Sequence, residues 1–332
     1  MTDRATSVDV ARAAGVSQST VSRALSDDKR ISEETKKKIR KAAERLGYTP
    51  NEIARSLQTN KTNMIGLIMA DIQNPFYPTV LEVYTQKLHS MGKRLLLLSV
   101  PRGFEVDDVL PSMLQHQVDG LVVTSAVVSS KLHKILKVHK TRTVLLNRSV
   151  DDFSLNSVCC ENTTASIEVA SFLVREGHRR MALIGGRPDT STHRERHQGF
   201  QSELNRHGLD IVDEEYGGNT YEGGYQAALR LFSKDIPPDA IFCISDVMAL
   251  GALDALRYEL KLRVPEDVSI VGFDDIPAAS WPSYNLTTVR QPVEAMVGRS
   301  LAILFDPEDY PPVSIKVPGE LIIRGSVKTG AT

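Results

Sequence analysis

The first 50 residues carry apolar positions at the spacing of three short helices. Apolar residues recur every three or four positions, as on one face of a helix, at Val8, Val10, Ala11 and Ala14, at Val21, Ala24 and Leu25, and at Ile39, Ala42, Ala43 and Leu46. Ser7, Ser17 and Ser32 stand where helix N-caps are expected, and Gly15 and Gly47 stand where helices end. The pattern predicts three helices that pack on one small core.

From about residue 63 onward, apolar runs of strand length alternate with stretches of helical spacing. The predicted strands are 64–70, 94–99, 120–124, 143–146, 181–185, 240–245, 268–273 and 320–323. The predicted helices between them are 77–90, 106–116, 131–138, 162–176, 195–207, 223–232 and 247–258. Alternation of this kind is typical of parallel sheets covered by helices on both faces. It predicts two doubly wound units after the helical head.

Composition places the chain among globular proteins. It has 332 residues, of which 41% are hydrophobic and 24% charged, enough apolar surface for two or three packed domains. No apolar run reaches the roughly 18 residues that a membrane-spanning helix needs, and the start, Met1 to Arg4, has no secretion-type apolar region. Three cysteines form neither a disulfide framework nor a zinc pattern. We therefore expect a cytoplasmic protein without a membrane partner.

Charge is distributed unevenly along the chain, although the total is only −1. Residues 1–61 hold 13 Lys and Arg against 8 Asp and Glu, whereas the remaining residues hold 27 against 33. A basic head before a mildly acidic body suggests a polyanionic partner for the head alone. The alternative is a solvated helical face, as Lys36-Lys37-Lys38 would form in any charged helix.

The first two predicted helices and the glycine between them form a helix-turn-helix pattern. Its second helix leaves Gln18, Ser19 and Arg23 on the polar side, and these side chains can reach base edges in a major groove. Small hydroxyl side chains suit phosphate contacts, and the candidates are Thr6, Ser17, Thr20, Ser22 and Thr35. The alternative is a three-helix cap that binds nothing.

Six segments together resemble the LacI/GalR family of bacterial transcription regulators. They are SVDVARAAGVSQSTVSRALS at 7–26, RLGYTPNEIARSL at 45–57, IGLIMADIQNPFY at 65–77, SDVMALGA at 245–252, VGFDD at 271–275 and LTTVRQP at 286–292. The resemblance extends over about residues 6–325 in the same order. It implies an N-terminal all-α helix-turn-helix headpiece and an α/β core of two doubly wound parallel-sheet subdomains, similar to periplasmic binding proteins.

The resemblance also implies domain boundaries. Residues 1–49 would form the headpiece, 50–62 a hinge helix and linker, and 63–332 the effector-binding and dimerisation core. Within the core, the N-subdomain would comprise about 63–160 and 291–318, and the C-subdomain about 161–290 and 319–332.

The hinge segment carries three further candidates for DNA contact. Asn51 can cap a short helix and contact phosphate, Arg55 is a minor-groove or backbone contact, and Leu57 is a candidate wedge between base steps. So short a helix is unstable in isolation and should form only on DNA with a partner chain. The alternative for Leu57 is a linker residue packed on the core.

Polar and aromatic side chains gather at the carboxyl ends of the predicted strands, where ligands bind in doubly wound sheets. The candidates are Asp71, Asn74, Phe76, Tyr77, Asn147, Arg148, Arg196, Ser245, Asp246 and Asp274. Acids and amides bind hydroxyls, and rings stack on apolar sugar faces, so we expect a sugar, polyol or sugar acid.

The resemblance places four of these candidates, Asn147, Arg196, Ser245 and Asp274, on the family's effector contacts. It places Phe76 and Tyr77 on its aromatic wall. The position that Asn147 occupies here often carries an acid in the sugar-binding members of the family. Other interpretations stay open: Asn74 and Asp274 as turn formers, Phe76 as core and Asp246 as an N-cap.

The functional expectation is an effector-responsive repressor of a carbohydrate-related operon, a homodimer on a pseudo-palindromic double-stranded operator. Alternatives are a co-repressed regulator that senses a non-sugar metabolite, or a solute-binding protein. We expect no enzymatic activity and no cofactor, because neither a nucleophile elbow nor a phosphate loop occurs. His193 and His197 have a metal-ligand spacing but lack a third ligand, and the neighbouring arginines repel cations.

Overall fold

The computed structural model describes residues 5–49, 61–100, 106–124, 135–136, 138–139, 141–149, 155–308 and 310–330. The chain divides into two compact units, Met1–Thr62 and Asn63–Thr332. The predictions made for Asn51, Arg55 and Leu57 lie outside the described residues, as does most of the predicted helix 131–138.

The described part of the first unit, residues 5–49 and 61–62, contains three helices, as predicted: α1 (Ser7–Ala14), α2 (Gln18–Leu25) and α3 (Glu33–Arg45). Their apolar stripes meet in a small core around Val10, Val21 and Ile39, all fully buried. Ser17 and Ser32 cap α2 and α3 as expected, and Gly15 ends α1 with φ at +62°, a conformation that glycine adopts without strain.

In this unit the structure departs from the sequence analysis at the N-cap of α1 and at Lys36, one of the three lysines of the solvated-face alternative. The N-cap of α1 is Thr6 rather than Ser7, because Thr6 forms a reciprocal capping box with Asp9 and so offers the free N–H groups two partners. Lys36 does not lie on a solvated face. Its ammonium group is buried and pairs with Asp27 at 2.8 Å and Glu33 at 2.9 Å, so this part of the positive charge is neutralised.

The second unit contains two sheets, and the first of them is parallel and has six strands. Its strands are β1 (Met64–Ala70), β2 (Arg94–Val100), β3 (Gly120–Thr124), β4 (Thr143–Leu146), β5 (Asn156–Cys160) and β11 (Ser314–Val317). They lie in the order β11-β5-β4-β3-β1-β2. The crossover helices described here are α4 (Phe76–Ser90) and α5 (Val106–Gln115). Strands β1, β3 and β4 are almost continuously apolar because both sheet faces are covered.

The second sheet has the same architecture with one antiparallel edge. It comprises β6 (Met181–Gly185), β7 (Ile211–Tyr216), β8 (Ala240–Cys243), β9 (Ser269–Asp274), β10 (Thr287–Arg290) and β12 (Glu320–Ile322), in the order β12-β10-β9-β8-β6-β7. Only the β10–β12 pair is antiparallel among these strands. The associated helices are α6 (Asn162–Arg175), α7 (Ser191–Arg206), α8 (Tyr221–Phe232) and α9 (Asp246–Asp254), and a π-helical turn (Ala255–Glu259) extends α9.

The chain passes between the two sheets three times. After β5 it enters the second sheet, after β10 it returns through α10 (Val293–Phe305) to β11, and after β11 it crosses again to β12. The predicted all-α head and pair of doubly wound sheets are therefore confirmed. Within the described residues, no helix is both long and apolar enough to span a membrane.

Candidate functional site

The carboxyl end of β4 turns sharply and contacts the helix beside the second sheet. Asn147 has a φ of +57°, and both Asn147 and Arg148 are buried. The Nη1 of Arg148 donates to the hydroxyl of Thr192 at 2.9 Å and to the Asn147 carbonyl at 2.7 Å. The N–H of Ser149 donates to the hydroxyl of Ser191 at 3.1 Å. The first sheet is thus joined to the first turn of α7.

Arg196 lies one turn further along α7 and is 4% exposed. Its Nε donates to Oδ1 of Asn162 at 2.9 Å, and its Nη1 donates to the carbonyl of Ile244 at 2.6 Å. The guanidinium carbon lies 3.6 Å from the centroid of the Phe273 ring, a cation–π contact. These contacts hold the planar group in one orientation at the carboxyl ends of β8 and β9.

Asp274 ends β9 with a φ of +131° and is 6% exposed. Its Oδ1 accepts a hydrogen bond from Nε2 of Gln291 at 2.6 Å and lies 3.5 Å from Nη1 of Arg196. Burial raises the pKa of Asp274 to about 6, although Arg196 and the hydrogen bond from Gln291 oppose the rise. The contact with Arg196 and the hydrogen bond from Gln291 favour the ionised carboxylate.

Asp246 has a different environment from the one predicted. Its side chain is fully buried, Oδ1 accepts from the Thr288 hydroxyl at 2.5 Å, and Oδ2 accepts from the N–H of Ile276 at 2.9 Å. It is the first helical residue of α9 rather than the N-cap, a position that Ser245 occupies. Both of its oxygens accept hydrogen bonds within the fold, so Asp246 ties α9 to β10 and to the loop after β9.

Five buried polar atoms converge in this region and have no hydrogen-bond partner among the described residues. They are Asn147 Oδ1, Arg148 Nε, Arg196 Nη2, Ser245 Oγ and Gln291 Oε1. Buried donors and acceptors are paired in the great majority of cases, and each exception calls for a partner such as a bound molecule, an ion or an ordered water. The set includes guanidinium donors, amide acceptors and a hydroxyl, which matches the hydrogen-bonding groups of a polyhydroxylated molecule.

The segment after β1 contributes packing as well as polarity. Oδ1 of Asn74 accepts the N–H of Phe76 at 3.1 Å, so Asn74 acts as a turn former at the start of α4. Phe76 and Tyr77 meet edge to face at 5.3 Å, are each 3% exposed, and belong to the main hydrophobic core. Tyr77 lies near enough to Arg196 to influence its pKa. Asp71 is partly exposed, with a φ of +57°.

The region at the carboxyl ends of β4, β8 and β9 that holds Arg148, Arg196 and Asp274 is called the cleft below, and three of its residues escaped sequence reasoning. Asn162 orients Arg196, Thr192 receives Arg148, and Gln291 contacts Asp274. Gln291 follows β10, a strand whose sequence TTVR is too polar to be recognised as one. The only available signal was its place in the LTTVRQP segment.

The outer face of α2 presents the candidate base-reading side chains together. Gln18, Ser19 and Arg23 are exposed while Val21 and Ala24 are buried. Nε2 of Gln18 donates to the Ser7 hydroxyl at 2.9 Å, which holds it across the turn. The hydroxyls of Ser17, Thr20 and Thr35 take part in capping contacts, and Ser22 is exposed on α2.

Comparison with known proteins gives these features a family. Over 332 residues the chain is 30% identical to the HTH-type transcriptional repressor PurR of Pasteurella multocida, covering 98% of this chain and 99% of the relative. The chain belongs to the LacI family. Residues 7–51 of this LacI-family protein match the family described as bacterial regulatory proteins, lacI family, and residues 170–327 match the periplasmic binding protein-like domain.

Two further similarities agree with this assignment. The LacI-family protein is 32% identical to the ribose operon repressor of Escherichia coli K12 across 91% of this chain and 92% of the relative. A crystal structure of the Lac repressor dimer bound to operator and the anti-inducer ONPF superposes with a TM-score of 0.87 and 25% identity, covering 98% of this chain and 99% of that one. The protein is an effector-responsive, DNA-binding transcriptional repressor.

Proposed function

We propose that this LacI-family repressor senses a sugar-like molecule and controls a carbohydrate-related operon. The observation that carries the proposal is the set of buried, unpartnered polar atoms on Asn147, Arg148, Arg196, Ser245 and Gln291. A ligand with several hydroxyls satisfies such atoms while its C–H faces pack on apolar walls. Among the relatives, the ribose operon repressor is named for a sugar operon.

In the head, Gln18, Ser19 and Arg23 read base edges in the major groove. Arginine can donate two parallel bonds to guanine, and glutamine can pair with adenine. Thr6, Ser17, Thr20, Ser22, Thr35 and Asn51 contact phosphates, and Arg55 and Leu57 act in the minor groove. The exposure of the α2 residues supports this arrangement.

The active species is a homodimer on a pseudo-palindromic operator. Two identical heads related by a twofold axis read two half-sites. The similar Lac repressor was crystallised as an operator-bound dimer. A repressor that acts on bacterial operator DNA works in the cytoplasm, and it needs neither a cofactor nor catalytic turnover.

The effector acts by changing how the two sheets of the core are placed relative to each other. The bonds from Arg148 to Thr192 and from Ser149 to Ser191 already link them. A ligand shifts the equilibrium only if it binds one placement better, and typical coupling is roughly 1–3 kcal/mol. We expect sugar binding to release the operator.

Thermal unfolding of the full-length protein tests the effector class. The protein is heated with sugars, polyols, sugar acids, nucleosides and nucleobases, since a specific ligand raises the melting temperature by mass action. A sugar-type compound should raise it and also change operator affinity. If only nucleosides or nucleobases do so, the sugar assignment is wrong.

A further inference from the structure

The cleft described above contains two buried guanidinium groups, which is more positive charge than its acids neutralise. Arg148 and Arg196 are 7% and 4% exposed. They lie close enough for the charge of Arg148 to lower the pKa of Arg196, an effect smaller than that of burial. Two like charges held together out of water are strongly unfavourable unless anions accompany them.

Of the acids described near these arginines, only Asp274 lies within ion-pair distance of one of them; the others are bonded to other groups. Asp274 faces Arg196 at 3.5 Å. Asp246 is bonded to Thr288 and Ile276, Asp189 pairs with Arg187 at 2.8 Å, and Glu195 bonds to Asn162 and Lys316. Among the described residues, Asp274 is therefore the one acid within ion-pair distance of either arginine, and it faces Arg196 alone.

Arg148 is the guanidinium that forms no ion pair with an acid among the described residues. Among the described residues, its hydrogen-bond partners are the Asn147 carbonyl and the Thr192 hydroxyl, both neutral. Its neighbour Asn147 is an amide where an aspartate would have supplied a charge. The Nε of Arg148 and the Nη2 of Arg196 remain buried without partners among the described residues.

We propose that the effector is an anionic sugar derivative, whose carboxylate or phosphate group is bound between Arg148 and Arg196. Planar guanidinium groups bind both anions through paired, charge-assisted hydrogen bonds. The hydroxyls of the ligand then reach Ser245, Gln291 and Asn147. This inference rests on the proposed sugar-binding function and adds the charge of the ligand to it.

Isothermal titration of the full-length protein with matched pairs tests the proposal. The probes are D-galacturonate against D-galactose, and D-gluconate and D-glucose 6-phosphate against D-glucose. At least one anion should bind roughly 10- to 100-fold more tightly than its neutral parent, the range expected for charged hydrogen bonds. The sugar acids and the phosphate ester distinguish the two sources of negative charge.

Substitutions at the arginine and its neighbour test the charge argument. Arg148→Gln keeps hydrogen-bonding capacity but removes the charge, and Asn147→Asp supplies the missing carboxylate at a position where aspartate tolerates positive φ. In both variants the affinity for the anion should lie within about threefold of the affinity for its neutral parent sugar. Arg263→Gln, which removes an exposed guanidinium paired with Asp267, is the matched control and should keep the preference for the anion.

Each possible result has a definite meaning. If neutral sugars bind as tightly as their anionic partners, the charge proposal is overturned and the sugar-sensing function stands. If no sugar of either charge binds while a nucleoside or nucleobase does, both proposals are overturned. If anion preference survives in Arg148→Gln and Asn147→Asp, the anion is bound elsewhere and the proposal fails.

Discussion

Arg196 has every part of its guanidinium group assigned except Nη2. Asn162, Ile244 and Asp274 accept its other N–H groups, and Phe273 covers one face. The planar group is therefore preorganised, and little entropy is lost when a ligand binds to its remaining edge. The remaining donor, Nη2, is therefore placed to bind an acceptor oxygen.

Replacing Arg196 by lysine tests that role. Arg196→Lys keeps the charge but loses the planar fork, so effector affinity should fall roughly 10-fold or more. Operator affinity without effector should change little, because the headpiece is untouched. Titration calorimetry and operator-binding assays provide the two measurements. A parallel loss of both affinities, with a lower melting temperature, would point to misfolding instead.

Arg23 should determine specificity rather than general affinity. Arg23→Ala should weaken binding to the selected operator by about 1–3 kcal/mol and relax one base position. The control is Arg40→Ala, which removes an exposed cation of α3 that pairs with Asp27. The control should affect operator and random DNA alike. Equal weakening of both DNAs by Arg23→Ala would contradict the base-reading assignment.

Asp246 predicts a pH dependence of stability. Burial, followed by the charge of Asp274, raises the pKa of Asp246 to about 8. In the unfolded chain the carboxyl ionises near pH 4, so the folded state loses stability as the pH rises through the interval between these two values. Asparagine does not titrate. Its side-chain amide can donate a hydrogen bond at position 246, and the Thr288 hydroxyl can then accept this bond instead of donating one.

The stability of Asp246→Asn, measured as its free energy of unfolding minus that of the unsubstituted protein, should therefore increase from near pH 5 to near pH 8. Denaturant unfolding at both pH values measures it. Asp267→Asn is the control, because the pKa of exposed Asp267 is lowered to about 2 by Arg263 and this group gives no such trend. A constant difference for Asp246→Asn across the two pH values would refute the argument.

At the scale of elements, α7 links the two sheets. Its first turns bear Ser191 and Thr192, which contact the segment after β4, and Arg196, which enters the cleft. Glu195 of the same helix pairs with Lys316 of β11. One helix thus contacts the ligand region and both sheets, which suits it to transmit a change in the cleft.

Thr192→Val should weaken this transmission. Valine has nearly the same shape but cannot accept the bond from Arg148, so the coupling between effector and operator should decrease by roughly 0.5–2 kcal/mol. The measurement is operator affinity with and without a saturating concentration of the effector identified by thermal unfolding. Thr85→Val, on the exposed face of α4, should leave the coupling unchanged.

Strands differed in how well the sequence predicted them. Strands β1, β3, β4 and β6 have the predicted limits, because each is a short apolar run buried on both faces. Strands β5, β7, β10 and β11, and helix α10, were not predicted. β7 contains the acidic run DEE and lies at an edge, and β10 contains two buried threonines. Such segments become strands because a neighbouring strand supplies hydrogen bonds.

At the scale of the whole molecule, charge is divided between the head and the body, which predicts how salt acts. Each neutralised phosphate releases counterions, so affinity for DNA should fall steeply with ionic strength. With about six phosphate contacts, the operator dissociation constant should rise roughly 10³-fold between 50 and 200 mM salt. Fluorescence anisotropy over that range measures the slope. Effector binding in the core should vary far less, and a flat operator curve would contradict the phosphate contacts.

The sequence by itself determined the helical head, its caps at Ser17 and Ser32, most buried strands, and the family, because periodicity, turn residues and motif order are local properties. Only the tertiary structure decided which side chains meet. It joined Arg148 to Thr192, residues 44 positions apart, and Asp274 to Gln291, and it withdrew Asp246 into the fold. Such pairings depend on the three passages of the chain between the sheets, and burial then sets the charge balance that the cleft presents to its ligand.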